Sequence, residues 1–118
     1  RKMETAFFSE KSKQYGHVFS TGGGIILEEK NRNILQKNGI TFLLHASTKT
    51  LASRISNTTK RPLLNDSDNI QQRLDQIWND RKLYYRNSAH HTIITDNLKP
   101  KHVLEKICNI LELTYANN

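Results

Sequence analysis

Residues 38–55 read NGITFLLHASTKTLASRI, and this stretch decides the class of fold. It opens with an Asn-Gly pair, which commonly ends a helix. Residues 40–45 are nearly continuous in apolar side chains, which is typical of a strand buried on both faces of a parallel sheet. Ser47 can then cap a helix that carries apolar residues four positions apart. The stretch therefore predicts the end of one helix, a buried strand and a second helix in immediate succession.

The same alternation continues on both sides of this stretch. Upstream, the pattern predicts a helix over residues 1–14, a short strand over 17–20 and a helix over 28–38. Downstream, it predicts a long helix over residues 69–88, a strand over 90–95 and a last helix that begins at Pro100. No hairpin signal joins any two of the three strands, so they should be parallel and joined by crossover helices. The sequence therefore predicts a layered α/β fold.

The predicted first helix has no start signal, because no N-cap residue precedes Arg1 and the chain does not open with methionine. Three strands are also few for a parallel sheet. We therefore expect the amino-terminal part of the fold to be missing. We treat residues 1–118 as a single partial domain that consists of a core over 1–56, a lid over 57–68 and a core over 69–118.

Composition indicates an ordinary globular protein, with 36% hydrophobic and 25% charged residues. The apolar runs are too short for a membrane span, and no signal peptide opens the sequence. The single cysteine, Cys108, fits a reducing compartment, so we expect a cytoplasmic protein without a membrane partner. The net charge of +7 asks for an anionic partner, but the basic residues are scattered. Charge alone leaves nucleic acid and small anions both open.

Gly22, Gly23 and Gly24 directly follow the predicted strand at 17–20. In open α/β sheets, ligands bind at the carboxyl ends of the strands, and glycines let the backbone approach a ligand closely. A plain turn is an equally good interpretation. The phosphate-loop pattern is excluded here, because no Gly-Lys-Ser/Thr follows.

Arg81 falls in the middle of an apolar stripe on the predicted helix 69–88. The stripe consists of Ile70, Leu74, Ile77, Tyr84 and Tyr85. A cation on a buried face requires an anion, because an unpaired buried charge is very unfavourable. A bidentate guanidinium suits a ligand carboxylate, although an internal Asp or Glu could serve as well. Arg61 lies in the polar stretch 57–68, where a lid could bring it to a phosphoryl group, although a solvated loop arginine is the simpler interpretation.

Other chemistry is weakly indicated. The five histidines and the single cysteine have no metal-ligand spacing, so we expect no metal ligand in this chain. Asp66 and Asp68 could hold a cation, but acidic residues at the start of the long helix, where they interact favourably with the helix dipole, are the simpler interpretation.

Three segments resemble the motifs of shikimate kinases in wording and in order: Arg1-Lys2-Met3-Glu4, Ser20-Thr21-Gly22-Gly23-Gly24 and Lys60-Arg61-Pro62-Leu63-Leu64. The segment Arg81-Lys82-Leu83-Tyr84-Tyr85 resembles the arginine-to-tyrosine segment of the family, and Thr95-Asp96 resembles the end of its final strand. The resemblance covers the whole chain and implies a three-layer P-loop kinase-like fold with a parallel sheet.

The resemblance also implies site residues. Arg1 and Arg81 would bind the shikimate carboxylate, Glu4 would hold the arginines in place, and the backbone of Gly22, Gly23 and Gly24 would touch the ring hydroxyls. Arg61 would reach the phosphates as the catalytic lid residue. Arg54 would lie against adenine, which the segment from Asn97 to Pro100 would border, so the ATP-binding residues are Arg54, Arg61 and Pro100.

By the same resemblance, the reaction is transfer of the ATP γ-phosphoryl group to the 3-hydroxyl of shikimate, with Mg²⁺, in chorismate biosynthesis. The partners would be shikimate and ATP, with no nucleic acid, and the protein would be a monomer. The family's phosphate loop and magnesium ligands precede the position of Arg1. We therefore expect this chain by itself not to be a competent kinase.

Three alternatives stay open at the level of sequence. Another small-molecule P-loop kinase, such as a gluconate kinase, would share the fold. A non-catalytic regulatory relative would bind a shikimate-pathway metabolite without needing a phosphate loop. A basic nucleic-acid-binding module would show salt-sensitive binding of DNA or RNA.

Overall fold

A computed structural model of the chain describes residues 1–58 and 66–116, with side chains for 1–56 and 69–116. The elements, in chain order, are α1 (Lys2–Lys11), a short 3-10 helix (Gly23–Leu27), α2 (Glu29–Lys37), β1 (Phe42–His45), α3 (Thr48–Thr58), α4 (Asp66–Ser88), β2 (His91–Ile94) and α5 (Pro100–Ala116). The predicted helix over 28–38 and the start of the last helix at Pro100 are confirmed to within one residue.

β1 and β2 form a parallel pair. The carbonyl of Thr41 accepts a hydrogen bond from the amide of His91 at 3.2 Å, and that of His45 accepts one from Thr95 at 2.8 Å. The offset between donor and acceptor is the same at both positions, which is the register of a parallel ladder. The prediction of parallel strands joined by a crossover is therefore confirmed.

Ser47 caps α3, as the sequence predicts. Its Oγ accepts a hydrogen bond at 3.2 Å from the amide of Thr50, which follows Ser47 by three residues. This bond satisfies one of the amides that have no acceptor within the helix. The helix follows β1 after a connection of only two residues.

Two predictions about strands are wrong. Residues 17–20 form no strand, and Val18 is 99% exposed. Strand conformation is held by bonds to a neighbouring strand, and among the described residues the sheet contains only β1 and β2. For the same reason the strands are not buried on both faces, since Leu44 is 54% and Ile94 is 55% exposed.

The first helix is shorter than predicted. α1 ends at Lys11, and the amide of Gln14 turns back to the Lys11 carbonyl at 3.1 Å. Gly16 follows with φ of +79°, a backbone conformation that favours glycine over other residues. The predicted end at residue 14 is therefore three residues too late.

The described chain divides into two compact units. The first consists of Arg1–Leu43 and Asp80–His91, and the second of Leu44–Asn79 and Thr92–Asn118. The first unit has a core of Phe8, Ile25 and Ile26, against which Leu35 and Tyr85 pack. In the second unit, the buried apolar residues are Ala46, Ala52 and Ile93. The predicted lid over 57–68 stays a prediction, because residues 59–65 lie outside the described part of the chain.

Candidate functional site

Gly22–Gly24, here called the glycine segment, lies in the first unit, where extended chain passes into the 3-10 helix. Gly22 is extended, with φ of −69° and ψ of 156°, and its carbonyl accepts a hydrogen bond from Ile25 at 3.3 Å. Buried Ile25 and Ile26 anchor the segment to the core. The glycine segment is therefore part of an ordered helical turn, and three side chains approach it.

Arg1 is the first of these side chains. Its Nη1 donates a hydrogen bond to the carbonyl oxygen of Gly24. A Cβ placed on Gly24 would lie 3.0 Å from Nη2 and 3.1 Å from Cζ of the same guanidinium. Such contacts are too close for an ordinary side chain, so Arg1 can occupy this position only because residue 24 is glycine. The sequence-predicted Arg1 and Gly24 are thus brought together.

Tyr85 is the second side chain, and it approaches the middle glycine. Its hydroxyl donates to the carbonyl oxygen of Gly23 at 2.7 Å, and a Cβ at Gly23 would lie 3.0 Å from that hydroxyl. From its sequence, Tyr85 was predicted in the apolar stripe of α4 and in the segment that resembles shikimate kinases, but without a role in the site. The available signal was the phenol itself, since a buried tyrosine hydroxyl usually requires a hydrogen-bond partner.

Glu4 is the third. Its Oε2 lies 3.8 Å from the position of a Cβ at Gly22, which is ordinary van der Waals contact. Among the described residues, no hydrogen bond or ion pair links Glu4 to Arg1 or Arg81. The predicted role of Glu4 in holding the arginines therefore stays a prediction.

Arg81 lies half-buried in the apolar stripe of α4, together with Ile70, Leu74, Ile77 and Tyr85, as predicted. Tyr84 was also predicted in this stripe, but it is 41% exposed, and its ring carries the guanidinium of Arg32 at 4.2 Å from the centroid. Within the described part of the chain, Arg81 has no hydrogen-bond or ion-pair partner. No internal carboxylate described here satisfies it, which favours an external anion.

Two residues of α2 hold this region together. Asn31 is completely buried, and its Nδ2 donates to Thr5 Oγ1 and to the Ile25 carbonyl, both at 3.0 Å. Arg32 donates through Nη1 to the carbonyls of Ile26 at 2.7 Å and Leu27 at 3.1 Å. These bonds tie α1 and the 3-10 helix to α2, so the residues that follow the glycine segment are held in place.

We call Arg1, the glycine segment, Arg81 and Tyr85 the arginine–glycine site. All of these residues belong to the first unit. They include two guanidiniums and a glycine backbone that a ligand can approach closely. Such groups can bind a carboxylate beside hydroxyl groups.

A second group of predicted residues meets in the second unit, at the turn between β2 and α5. Arg54 donates through Nη1 to Thr95 Oγ1 at 3.1 Å and through Nη2 to the Thr95 carbonyl at 2.6 Å. Pro100 is the first residue of α5 and lies at the other end of the same turn. Arg54 and Pro100, both predicted at a nucleotide base, therefore flank one turn.

Asp96 links that turn to the start of α3, a contact that was not predicted from the sequence. Its Oδ1 accepts hydrogen bonds from the hydroxyl of Ser47 at 2.7 Å, the hydroxyl of Thr50 at 2.8 Å and the amide of Ser47 at 3.0 Å. These bonds, the Ser47 hydroxyl first and the Thr50 hydroxyl second, lower the pKa of Asp96 from 3.8 to about 2. The available signal was the Ser-x-x-Thr spacing at the start of a helix, which places two hydroxyl donors close together, where they can share one acceptor.

Arg61, the predicted catalytic residue, lies outside the described residues. Among the described residues, no group of three His, Cys, Asp or Glu side chains could hold a metal ion. None of the helices that the structure describes is long and apolar enough to cross a membrane.

A sequence profile described as Shikimate kinase matches residues 1–112 of the chain. The chain belongs to the shikimate kinase family. The match covers the Arg1, glycine and Arg81 segments, which carried the resemblance in the sequence.

Individual shikimate kinases agree with this assignment. The chain is 36% identical over 110 residues to that of Caldicellulosiruptor saccharolyticus, covering 93% of this chain and 63% of the relative. It is 33% identical over 112 residues to that of Haemophilus influenzae strain PittEE, covering 95% and 62%. The chain thus spans less than two thirds of the length of the shikimate kinases it matches.

A solved structure, shikimate kinase from Acinetobacter baumannii in complex with shikimate, is similar to this fold. The TM-score is 0.77 at 32% identity, and the match covers 99% of this chain and 63% of the other. The predicted α/β fold of the P-loop kinase type is therefore confirmed.

Proposed function

We propose that the protein containing this chain is a shikimate kinase, which transfers the γ-phosphoryl group of ATP to the 3-hydroxyl of shikimate in the biosynthesis of chorismate. The observation that carries the proposal is the arginine–glycine site. Arg81 is a half-buried cation without a partner among the described residues, and Arg1 lies on the glycine segment of the same unit. The bound shikimate in the related Acinetobacter baumannii structure gives the ligand its chemical class.

The shikimate carboxylate is the group that suits the two guanidiniums. Each guanidinium offers parallel N–H donors that match the two oxygens of a carboxylate. Arg1 donates through Nη1 to Gly24, which leaves further N–H groups of the fork for the ligand. Arg1 and Arg81 then neutralise and orient the substrate, while the glycine segment lies against its ring hydroxyls.

The nucleotide base is assigned to the second unit. Arg54 is fixed by its two bonds to Thr95, and Pro100 begins α5 at the far end of the turn. We assign the adenine contact to Arg54 and to the segment between Asn97 and Pro100. The anchoring of the turn by Asp96 supports this assignment, because a base-binding surface requires a fixed backbone.

Arg61 is assigned to the phosphates. As charge develops on the transferring phosphoryl group, a guanidinium beside it stabilises the transition state more than the ground state. Arg1 and Arg81 contribute by positioning the acceptor hydroxyl for attack. The bond from the γ-phosphorus to the bridging oxygen of ADP breaks as the bond to the 3-hydroxyl oxygen forms, ADP leaves, and the hydroxyl loses its proton to the solvent.

Mg²⁺ accompanies ATP in this family, and the described residues contain no group of three His, Cys, Asp or Glu side chains that could hold a metal ion. Mg²⁺ usually keeps several waters and is held by one or two protein ligands and by phosphates. We therefore assign no step of the reaction to a metal ligand of this chain. We further propose that the enzyme acts as a monomer in the cytoplasm.

The test is an acceptor panel with the protein expressed from its complete reading frame. ADP release is measured with ATP and with shikimate, gluconate or no acceptor, and binding of shikimate is measured separately by titration calorimetry. ADP release that depends on shikimate supports the proposal. Turnover of gluconate alone would assign the protein to another class of kinase, and shikimate binding without turnover would assign it to the non-catalytic relatives.

A further inference from the structure

The hydroxyl of Tyr85 is bonded to the backbone of the glycine segment, 62 residues away along the chain. It donates to the Gly23 carbonyl at 2.7 Å, which is the usual length of a hydrogen bond from a hydroxyl to an oxygen. The ring of Tyr85 packs against the core of Phe8, Ile25 and Ile26. A phenylalanine could fill that space equally well, so packing alone does not account for the hydroxyl.

This bond has a consequence for Arg81. Arg81 precedes Tyr85 by four residues on α4, so the two side chains lie on one face of the helix about 6 Å apart along its axis. Fixing Tyr85 to Gly23 therefore fixes the rotation and the axial position of α4 at Arg81. The neighbouring carbonyl, that of Gly24, accepts a hydrogen bond from Arg1. Two consecutive carbonyls thus hold the two arginines: that of Gly24 binds Arg1 directly, and that of Gly23 holds Arg81 through Tyr85.

We infer that Tyr85 is a positioning residue of the shikimate site: its bond to Gly23 sets Arg81 relative to Arg1, so that both guanidiniums meet one carboxylate. The inference rests on the proposed function, because it requires a carboxylate ligand between the arginines. Tyr85 itself does not touch the ligand. A bidentate contact tolerates little displacement, since productive geometries are held to about 0.5 Å.

The experiment replaces Tyr85 by phenylalanine, which removes the hydroxyl and keeps the ring. Tyr84→Phe is the matched control, because Tyr84 is the adjacent residue, and its ring, which carries Arg32, is retained. Both variants are made in the protein expressed from its complete reading frame, and shikimate is the titrated ligand. We expect Tyr85→Phe to weaken shikimate binding about fivefold, the equivalent of one neutral hydrogen bond, and Tyr84→Phe to leave it unchanged.

A double-mutant cycle separates positioning from a general loss of structure. If Tyr85 acts through Arg81, then Tyr85→Phe should change shikimate affinity less than twofold in a chain that already carries Arg81→Lys. In kinetics, Tyr85→Phe should raise the KM for shikimate while kcat and the KM for ATP stay the same. A loss of stability that acted on the whole protein would instead change all three.

The outcomes are distinct. If the parent protein does not bind shikimate, the proposed function fails and this inference fails with it. If the parent binds and Tyr85→Phe binds equally well, or loses the same factor in the Arg81→Lys background, only the inference is overturned. Should Tyr85→Phe not fold, Gly23→Ala disturbs the same bond from the other side, because its Cβ would lie 3.0 Å from the hydroxyl. An unchanged affinity in that variant would also overturn the inference.

Discussion

Arg81 is a half-buried cation for which the described part of the chain supplies no anion. Burying a charge without a partner is unfavourable, so we expect Arg81 to contribute favourable free energy mainly when an anionic ligand binds. Lysine at this position would keep the charge but lose the fork that pairs with both carboxylate oxygens. The distinction between charge and geometry can therefore be measured at one residue.

We predict that Arg81→Lys raises the KM for shikimate about tenfold or more and leaves the KM for ATP unchanged. A hydrogen bond to a charged group contributes about 1.5–3 kcal/mol, and the substitution removes at least one of them. Titration calorimetry with shikimate provides the direct measurement, and Arg73→Lys, which lies on the same helix outside the arginine–glycine site, is the control. An unchanged shikimate affinity would exclude Arg81 from the site.

Asp96 gives a second prediction at the residue scale. Its pKa is about 2 in the folded chain and 3.8 ordinarily, so the charged form stabilises the fold. This contribution is fully present above about pH 4 and is lost as the pH falls towards about 2. Urea unfolding between pH 2 and pH 6 should show a decline that Asp96→Asn reduces. The control is Asp80→Asn, an exposed carboxyl of α4, and an identical decline in Asp96→Asn and the parent would contradict the prediction.

At the scale of elements, the sequence predicted those whose signal is local. The Asn-Gly helix end, the Ser47 cap and the proline start of α5 each depend on a few neighbouring residues, and each lies where predicted. The strand over 17–20 failed because a strand depends on a partner that its own residues do not encode. The contacts of Tyr85 and Asp96 were missed for a related reason. The acceptor of Tyr85 lies 62 residues away, and the donors to Asp96 lie 49 and 46 residues away.

The glycine segment yields a prediction about an element. Gly24→Ala should weaken shikimate binding about tenfold. The new Cβ would lie 3.1 Å from Cζ of Arg1 and would therefore displace the guanidinium. Gly39→Ala is the matched control, since Gly39 lies outside the arginine–glycine site and its Cβ would meet nothing within 4 Å. Circular dichroism should show the same helix content in both variants. Equal binding by the two alanine variants would mean that the glycines form a turn without a role in placing Arg1.

At the scale of the whole molecule, the predicted acceptor and nucleotide residues belong to different units. The arginine–glycine site lies entirely in the first unit, and Arg54, Asp96 and Pro100 lie in the second. Substitutions in the arginine–glycine site should therefore change the affinity for shikimate, and substitutions at Arg54 or Pro100 should change the affinity for ATP. Sequence alone could assign these roles only by resemblance, because neither periodicity nor spacing indicates which residues share a unit.

The net charge of the chain is +7, so nucleic acid is an alternative binding partner to shikimate and ATP. Phosphate-backbone binding depends steeply on salt, whereas a carboxylate held by two arginines in a site depends on it less. This contrast distinguishes the two interpretations without a structure. A fluorescent DNA oligonucleotide that bound in competition with shikimate would favour the rival.

Arg61 provides the last prediction, and it belongs to the reaction as a whole. We predict that Arg61→Ala lowers kcat about a hundredfold or more while the dissociation constant for shikimate changes less than twofold. A guanidinium that neutralises charge in flight acts mainly in the transition state, and in comparable enzymes it contributes about a thousandfold or more to kcat. Lys60→Ala removes a neighbouring positive charge and serves as the control, which should keep kcat within about threefold. Steady-state kinetics with both substrates, together with shikimate calorimetry, separates the two quantities. If Arg61→Ala lowered shikimate affinity and left kcat unchanged, Arg61 would belong to the acceptor site, and the assignment of the phosphates to it would be wrong.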